Sequence, residues 1–199
     1  MAILRYNILM QLQNVILVMG PPGSGKGTQS KLLMQKLGYA YFSMGETLRE
    51  YAKMDTDFGR EIKTTIDQGF IVKDEAAKRV FEESFEKIKD IPGLIIEGYP
   101  RTPKQIEVLN NALQKSKITN VKVLFLDVDK DKLIQRLLLR SKTEGRVDDA
   151  SIASIEKRFD EYGKKTATAK AYFESRGELV RINGDQEVEK VHEEIMSKL

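Results

Sequence analysis

Nine consecutive residues, Gly20-Pro21-Pro22-Gly23-Ser24-Gly25-Lys26-Gly27-Thr28, combine the residue types that grip a phosphate. Glycines let a backbone turn its N–H groups inward around an anion, a helix starting just behind adds partial positive charge, and Lys26 brings a mobile full charge. Spacing from Gly20 to Lys26 follows the Walker A pattern, except that the hydroxyl expected directly after the lysine arrives one residue later, at Thr28. A glycine-rich turn that merely joins a strand to a helix would use the same glycines. The flanks decide against that, because the strand-like run Val15 to Met19 precedes the motif and the helical run Gln29 to Leu37 follows it. Chemistry on a phosphoryl group needs alignment and charge neutralisation more than covalent catalysis. Composition agrees. The chain has no cysteine, which removes disulfides, thiolate metal sites and thiol nucleophiles. Its single histidine, His192, sits in a C-terminal helical pattern far from the motif and reads as a surface residue.

The elements that must position this loop follow from apolar periodicity. Val15 to Met19, Leu94 to Ile96 and Val121 to Leu126 are short continuous apolar runs, the pattern of strands buried on both faces, and each precedes a longer helical pattern. Tyr39 to Ser43 and Leu179 to Ile182 complete a set of five, the last bounded by Gly177 and the turn signal Asn183-Gly184. Strands alternating with helices describe a three-layer, doubly wound five-stranded parallel α/β sheet, whose ligands sit beyond the carboxyl ends of the strands. Two segments stand outside the alternation. Residues 44–73 read as short helices broken at Gly59 and Gly69, and residues 142–150 as a short polar loop between the helices of about Asp129 to Ser141 and Ser151 to Ser175. Both are expected to be mobile covers over a site.

A length of 199 residues suggests a single domain with these two insertions. Lys and Arg total 33 against 30 Asp and Glu, and a net charge of +3 is too small to argue for nucleic acid or an anionic membrane as a partner. No apolar run approaches the roughly 20 residues of a membrane-spanning helix. A cytoplasmic monomer is therefore expected. Met1 to Asn14, with one Arg and no acid, weakly resembles a targeting segment but lacks a clear h-region and cleavage site, and an arm packed on the core is the plainer reading.

From the loop onward the chain resembles the adenylate kinase and nucleoside monophosphate kinase family, whose loop reads G-x-P-G-x-G-K-G-T. Ser43-Met44-Gly45-Glu46-Thr47-Leu48-Arg49 is similar to the family's S-x-G-[DE]-x-L-R segment, and Glu97-Gly98-Tyr99-Pro100-Arg101 with Gln105 to its D-G-[FY]-P-R signature and following glutamine. Gln135-Arg136 to Arg140, Gly145-Arg146-Val147-Asp148-Asp149 and Lys157-Arg158 resemble Q-R-L-x-x-R … G-R-x-D-D … K-R. The resemblance implies ATP as donor, on Gly23, Ser24, Gly25, Lys26, Gly27 and Thr28, with Arg136 stacked on its base and Gly184 touching it through the backbone. It implies AMP as acceptor, with Arg49 and Arg101 on its phosphate, Met44, Ile71, Val72 and Gly98 around it, and Gln105 on the adenine edge. Arg140, Arg146 and Arg158 would gather with Lys26 on the transferring phosphoryl. Mg2+ would be held through Thr28 and, by way of water, Glu97, Asp148 and Asp149. A short-lid form is implied.

Several readings stay open at this level. Arg136 and Arg140 at i and i+4 are also what a solvated helix face shows, Ile71 and Val72 are also ordinary packing residues, and Asn183-Gly184 is also an ordinary turn. Met44 stands where adenylate kinases usually carry Thr, Glu97 replaces the usual Asp, and one extra residue lies between Asp149 and Arg158. Gln105 favours AMP, because pyrimidine monophosphate kinases carry Asn there; a UMP/CMP kinase and a nucleotide-binding family member with weak activity are the alternatives. A small-metabolite kinase gives no reason for two arginines facing the acceptor, and a GTPase switch lacks its Asn/Thr-Lys-x-Asp motif.

Overall fold

A computed structural model describes residues 13–88 and 91–199. Most of the N-terminal arm reading therefore lies outside the described residues. Five strands form one parallel sheet in the order β2-β3-β1-β4-β5: β1 (Asn14–Met19), β2 (Ala40–Ser43), β3 (Gly93–Glu97), β4 (Asn120–Asp127) and β5 (Leu179–Asn183). Each of the five sequence runs becomes a strand, and the continuous apolar character of the central ones follows from burial on both faces. Along β1, Val15, Leu17 and Met19 face one apolar layer while Ile16 and Val18 face the other. The second layer is closed by Leu33 of α1 (Lys26–Leu37) and by Val191 and Ile195 of α8 (Val188–Lys198).

The first layer carries α2 (Met44–Ala52), α3 (Asp57–Asp67), α4 (Asp74–Phe85), α5 (Pro103–Lys115) and α7 (Ile152–Ser175). From β1 the chain moves to one side of the sheet to lay down β2 and β3, then crosses over β1 to build β4 and β5. That reversal opens a crevice beyond the carboxyl ends of β1 and its neighbours, the place where such sheets bind ligands. Among the described residues no helix is long and apolar enough to cross a membrane.

Two boundary expectations are corrected. Gly59 lies inside α3 and does not break a helix; the break falls before Thr56, whose hydroxyl caps α3 by accepting from the Gly59 N–H. A Cβ on Gly59 would stand 2.4 Å from the Met54 carbonyl and 2.6 Å from that of Tyr51, so this glycine permits a close helix crossing. Residues 142–150 are only partly loop. Helix α6 (Lys130–Glu144) continues through Lys142 to Glu144, Gly145 closes it in the left-handed conformation, and a 3-10 turn (Val147–Asp149) leads to α7. Lys, Thr and Glu give the helix no reason to stop before a residue that relieves its last turn.

Candidate active site

The phosphate loop leaves β1 at Gly20 and enters α1 at Lys26, three residues earlier than the periodicity of the sequence suggested. Gly20, Gly23 and Gly25 have φ of 145°, 83° and 90°. At Gly20 a Cβ would also stand 2.8 Å from the Leu126 carbonyl, so conformation and space both require glycine. No side chain caps the start of α1 and no acid lies in its first turn, which leaves the N-terminal amides and their partial charge to a ligand. Lys26 donates to the Pro21 carbonyl at 2.8 Å.

Two cavities open on either side of Lys26. The first is walled by the residues expected around an acceptor, Met44, Arg49, Ile71, Val72, Gly98, Arg101, Gln105, Arg146 and Arg158, and by Asp148, expected near the metal. The second is walled by Gly23 to Thr28, Arg136 and Gly184. Gly23, Lys26, Gly27, Glu46, Glu97, Arg140 and Arg146 line both. Of all the site residues expected from the sequence, only Asp149 reaches neither. It is fully buried behind the arginines, accepting from Arg140 at 2.8 and 2.5 Å and pairing with Arg158. Asp148 also holds Arg158, at 2.9 Å, and Glu144 holds Arg146, at 3.0 Å. The extra residue before Arg158 does not carry that side chain out of the cleft.

Electrostatics single out the same groups. Burial, the largest cause in each case, lowers the pKa of Lys26, Arg49, Arg101, Arg140 and Arg158. Neighbouring cations add to it: Arg101, Arg140 and Arg158 act on Lys26, and Arg146 acts on Arg49 and Arg140. Lys26 falls to about 7 and Arg158 to about 10. Glu97 works against the fall at Lys26, Arg49, Arg101 and Arg140 without cancelling it. Guanidinium groups stay charged, so the cost stands until an anion relieves it. A cleft crowded with desolvated cations is built for a polyphosphate.

The acceptor wall is set by a hydrogen-bond frame. Arg101 Nε donates to the Gly98 carbonyl at 2.8 Å, and the Arg101 amide donates to Gln105 Oε1 at 2.8 Å. Gln105 Nε2 donates to Asp74 Oδ1 at 2.9 Å, and Thr102 donates to the same oxygen at 2.7 Å. The buried Gln105 amide is thus fixed in orientation, with one hydrogen and one lone pair left over. Sequence reasoning missed Asp74, and it missed Tyr162 and Thr166, which follow Arg158 at i+4 and i+8 on one face of α7 and line the acceptor cavity. Their hydroxyls are buried with no partner among the described residues. The helical spacing from Arg158 was the available signal. The tip of the 44–73 segment is latched to α7: Lys165 donates to the Ile71 carbonyl at 3.3 Å, and the Lys157 ammonium lies 3.8 Å from the Phe70 ring centroid. On the donor side Arg136 donates to the Gly184 carbonyl at 3.1 Å, which holds its guanidinium along the cavity edge.

Hard oxygen donors suit magnesium. Thr28 lines the second cavity, Asp148 the first, and Glu97 both. Among the described residues no group of three or more acid, histidine or cysteine side chains is arranged to hold an ion. This donor set fits an ion that keeps most of its water and takes its other ligands from phosphate.

Comparison with known proteins agrees with this geometry. The family model described as Adenylate kinase matches residues 18–178. Among curated proteins, the chain is 37% identical to an Adenylate kinase of Bacteroides fragilis over 180 residues, covering 90% of this chain and 95% of that protein. It is 35% identical to an Adenylate kinase of Kocuria rhizophila over 184 residues, 92% of this chain and 97% of the relative. An Adenylate kinase of Azobacteroides pseudotrichonymphae is 36% identical over 182 residues, 92% and 95% of the two chains.

Proposed function

The chain belongs to the adenylate kinase family, and on that premise we propose how its cleft divides the work between donor and acceptor. The protein is a phosphotransferase, a nucleoside monophosphate kinase, and within that class an adenylate kinase, converting ATP and AMP to two ADP in a reversible transfer. In our reading the triphosphate lies over the amides of Gly23 to Thr28 with its base against Arg136 and the Gly184 turn. The monophosphate lies between Arg49 and Arg101 with its base among Met44, Ile71 and Val72. Gln105 reads the adenine edge, its free hydrogen and lone pair matching the acceptor and donor of N1 and N6. The observation that carries this reading is the shared floor of the two cavities, Gly23, Lys26, Gly27, Glu46, Glu97, Arg140 and Arg146.

Groups common to both sites are where a transferring phosphoryl must sit. Lys26, Arg140, Arg146, Arg101 and Arg158 would spread over its equatorial oxygens and those of its neighbours, neutralising charge as it moves in line. The acceptor phosphate is itself an anionic nucleophile, so no general base is required, in keeping with a cleft that contains no histidine. Mg2+, held through Thr28 and by way of water through Glu97 and Asp148, would supply charge neutralisation between donor phosphates. Closure of the 44–73 and 142–150 segments would exclude water, which otherwise competes as acceptor. We take the working unit to be a cytoplasmic monomer.

A coupled assay with ATP and Mg2+ against AMP, UMP, CMP and no acceptor tests the assignment. AMP should be preferred by at least about 100-fold in kcat/KM, a discrimination expected of a site that hydrogen-bonds a base edge. Equal rates with UMP or CMP would move the acceptor assignment to pyrimidines, and fast hydrolysis without acceptor would contradict the proposed closure.

A further inference from the structure

Glu97 raises a question of reach. Its carboxylate stands one methylene farther from the backbone than an aspartate would, yet it belongs to the floor shared by both cavities. Its neighbours on β2 answer that question. Ser43 pairs with Glu97 across the parallel ladder, and Tyr41, two residues earlier, lies on the same face of that strand. Both hydroxyls donate to one oxygen, Glu97 Oε2: Tyr41 at 3.3 Å, and Ser43 by a short hydrogen bond. The Tyr41 hydroxyl lies under the first turn of α1, 3.9 Å from where a Cβ on Gly27 would stand. Ser43 has a second task, since its oxygen accepts from the Glu46 amide at 3.3 Å and so caps α2, the helix that carries Met44 and Arg49.

We propose that Tyr41 is a positioning residue for this reaction: with Ser43 it forms a two-hydroxyl tether that draws the long Glu97 side chain sideways and fixes its free oxygen over the phosphate loop. One oxygen is consumed by the tether, and the other faces the shared floor. An untethered glutamate would have an additional free torsion and would visit Lys26 and the arginines in turn. The tether also links the two substrates, because the hydroxyl that fixes Glu97 is the one that caps the first helix of the acceptor segment. The inference rests on the proposed roles of the two cavities and on Glu97 acting toward magnesium-bound water.

Tyr41→Phe keeps the ring and removes only the hydroxyl. Loss of a group that orients a metal-associated ligand costs about 10-fold in activity or metal affinity at the low end. The expected result is a kcat lower by about 10-fold, AMP KM within about twofold, and a Mg2+ requirement raised by a similar factor to kcat. Mn2+ binding to the protein with ADP, read by electron paramagnetic resonance, should weaken in parallel, while the thermal midpoint holds. In a Glu97→Asp background the shorter carboxylate no longer reaches Tyr41, and Tyr41→Phe should then add less than about twofold. Unchanged Mg2+ requirement and Mn2+ affinity in Tyr41→Phe, or an equal loss in both backgrounds, would overturn the proposal. If the unmodified protein failed to transfer a phosphoryl from ATP to AMP, the functional assignment would fall, and the Mn2+ comparison would still decide the role of Tyr41.

Discussion

The phosphate loop meets the cleft with backbone amides and a lysine whose hydrogen bond goes to a carbonyl, Pro21, whereas Arg140, Arg146 and Arg158 are each already engaged by an acid of their own neighbourhood. Arg140 and Arg158 share Asp149, Arg158 adds Asp148, and Arg146 takes Glu144. One region is therefore preorganised for phosphate by covalent geometry, and its cost is desolvation of a charge. The other is preorganised by internal counter-ions, which hold the guanidiniums in place and then share them with the ligand. The difference teaches which region can be loosened without unfolding and which cannot.

Lys26→Met gives the largest expected effect. Removing a full positive charge from the transferring phosphoryl should lower kcat by roughly 1,000-fold, as for loss of one transition-state donor. The unliganded protein should lose no stability at neutral pH, because the burial penalty on the ammonium disappears with it. A thermal scan showing a clear drop in the unliganded variant would break the comparison. Asp149→Asn should behave in the opposite way. It leaves Arg140 without its anion and Arg158 with Asp148 alone, and breaking a buried pair of this kind costs about 3 kcal/mol, the low end of the range because Arg140 and Arg158 keep some exposure. Urea unfolding with and without a bisubstrate mimic, two adenosines joined through five phosphates, checks it: the deficit should shrink when phosphates replace the carboxylate.

A proton reports on the loop side alone. Folded Lys26 titrates at about 7, against 10.5 when unperturbed. Between those values the unfolded chain holds a proton that the folded chain lacks, so this group makes stability rise with pH across that window, and its penalty is full below the folded value. A bound anion pushes the pKa back up. ATP binding at pH 8 should then take up about one proton, seen as a calorimetric heat that varies with buffer ionisation enthalpy. A buffer-independent heat would place the burial cost elsewhere. The smallest effect is expected at the latch, where Lys157→Ala removes the cation over Phe70. A contact of this kind is worth about 0.5–1 kcal/mol, so AMP KM should rise about two- to fivefold with kcat unchanged.

Much of this was legible in residue types alone. The five strands and the loop follow from apolar runs and from the glycines and lysine placed just after the first of them, since burial on both faces and anion binding leave strong local signatures, whereas Arg136, Arg140, Arg146 and Arg158 were assigned only through the family resemblance. What escaped was set by tertiary contact. Gly59 reads as a helix breaker until the carbonyls of Tyr51 and Met54 are seen pressing on it. Asp149 reads as a metal anchor until two arginines are found on its oxygens. Tyr41 and Asp74 carry no motif; each matters only through a partner more than 25 residues away, Glu97 for one and Gln105 for the other.

The place of β1 in the sheet has a consequence for how the molecule comes apart. It is paired along its whole length with β4 on one side and from Asn14 to Val18 with β3 on the other, and Leu17 and Val18 have no exposed surface. Its amide hydrogens should exchange with solvent only when the entire sheet separates, while those of α3 should exchange through local opening of an outlying helix, an order that hydrogen-exchange measurements would read. The anion grip is thus mounted on the strand most completely paired within the sheet.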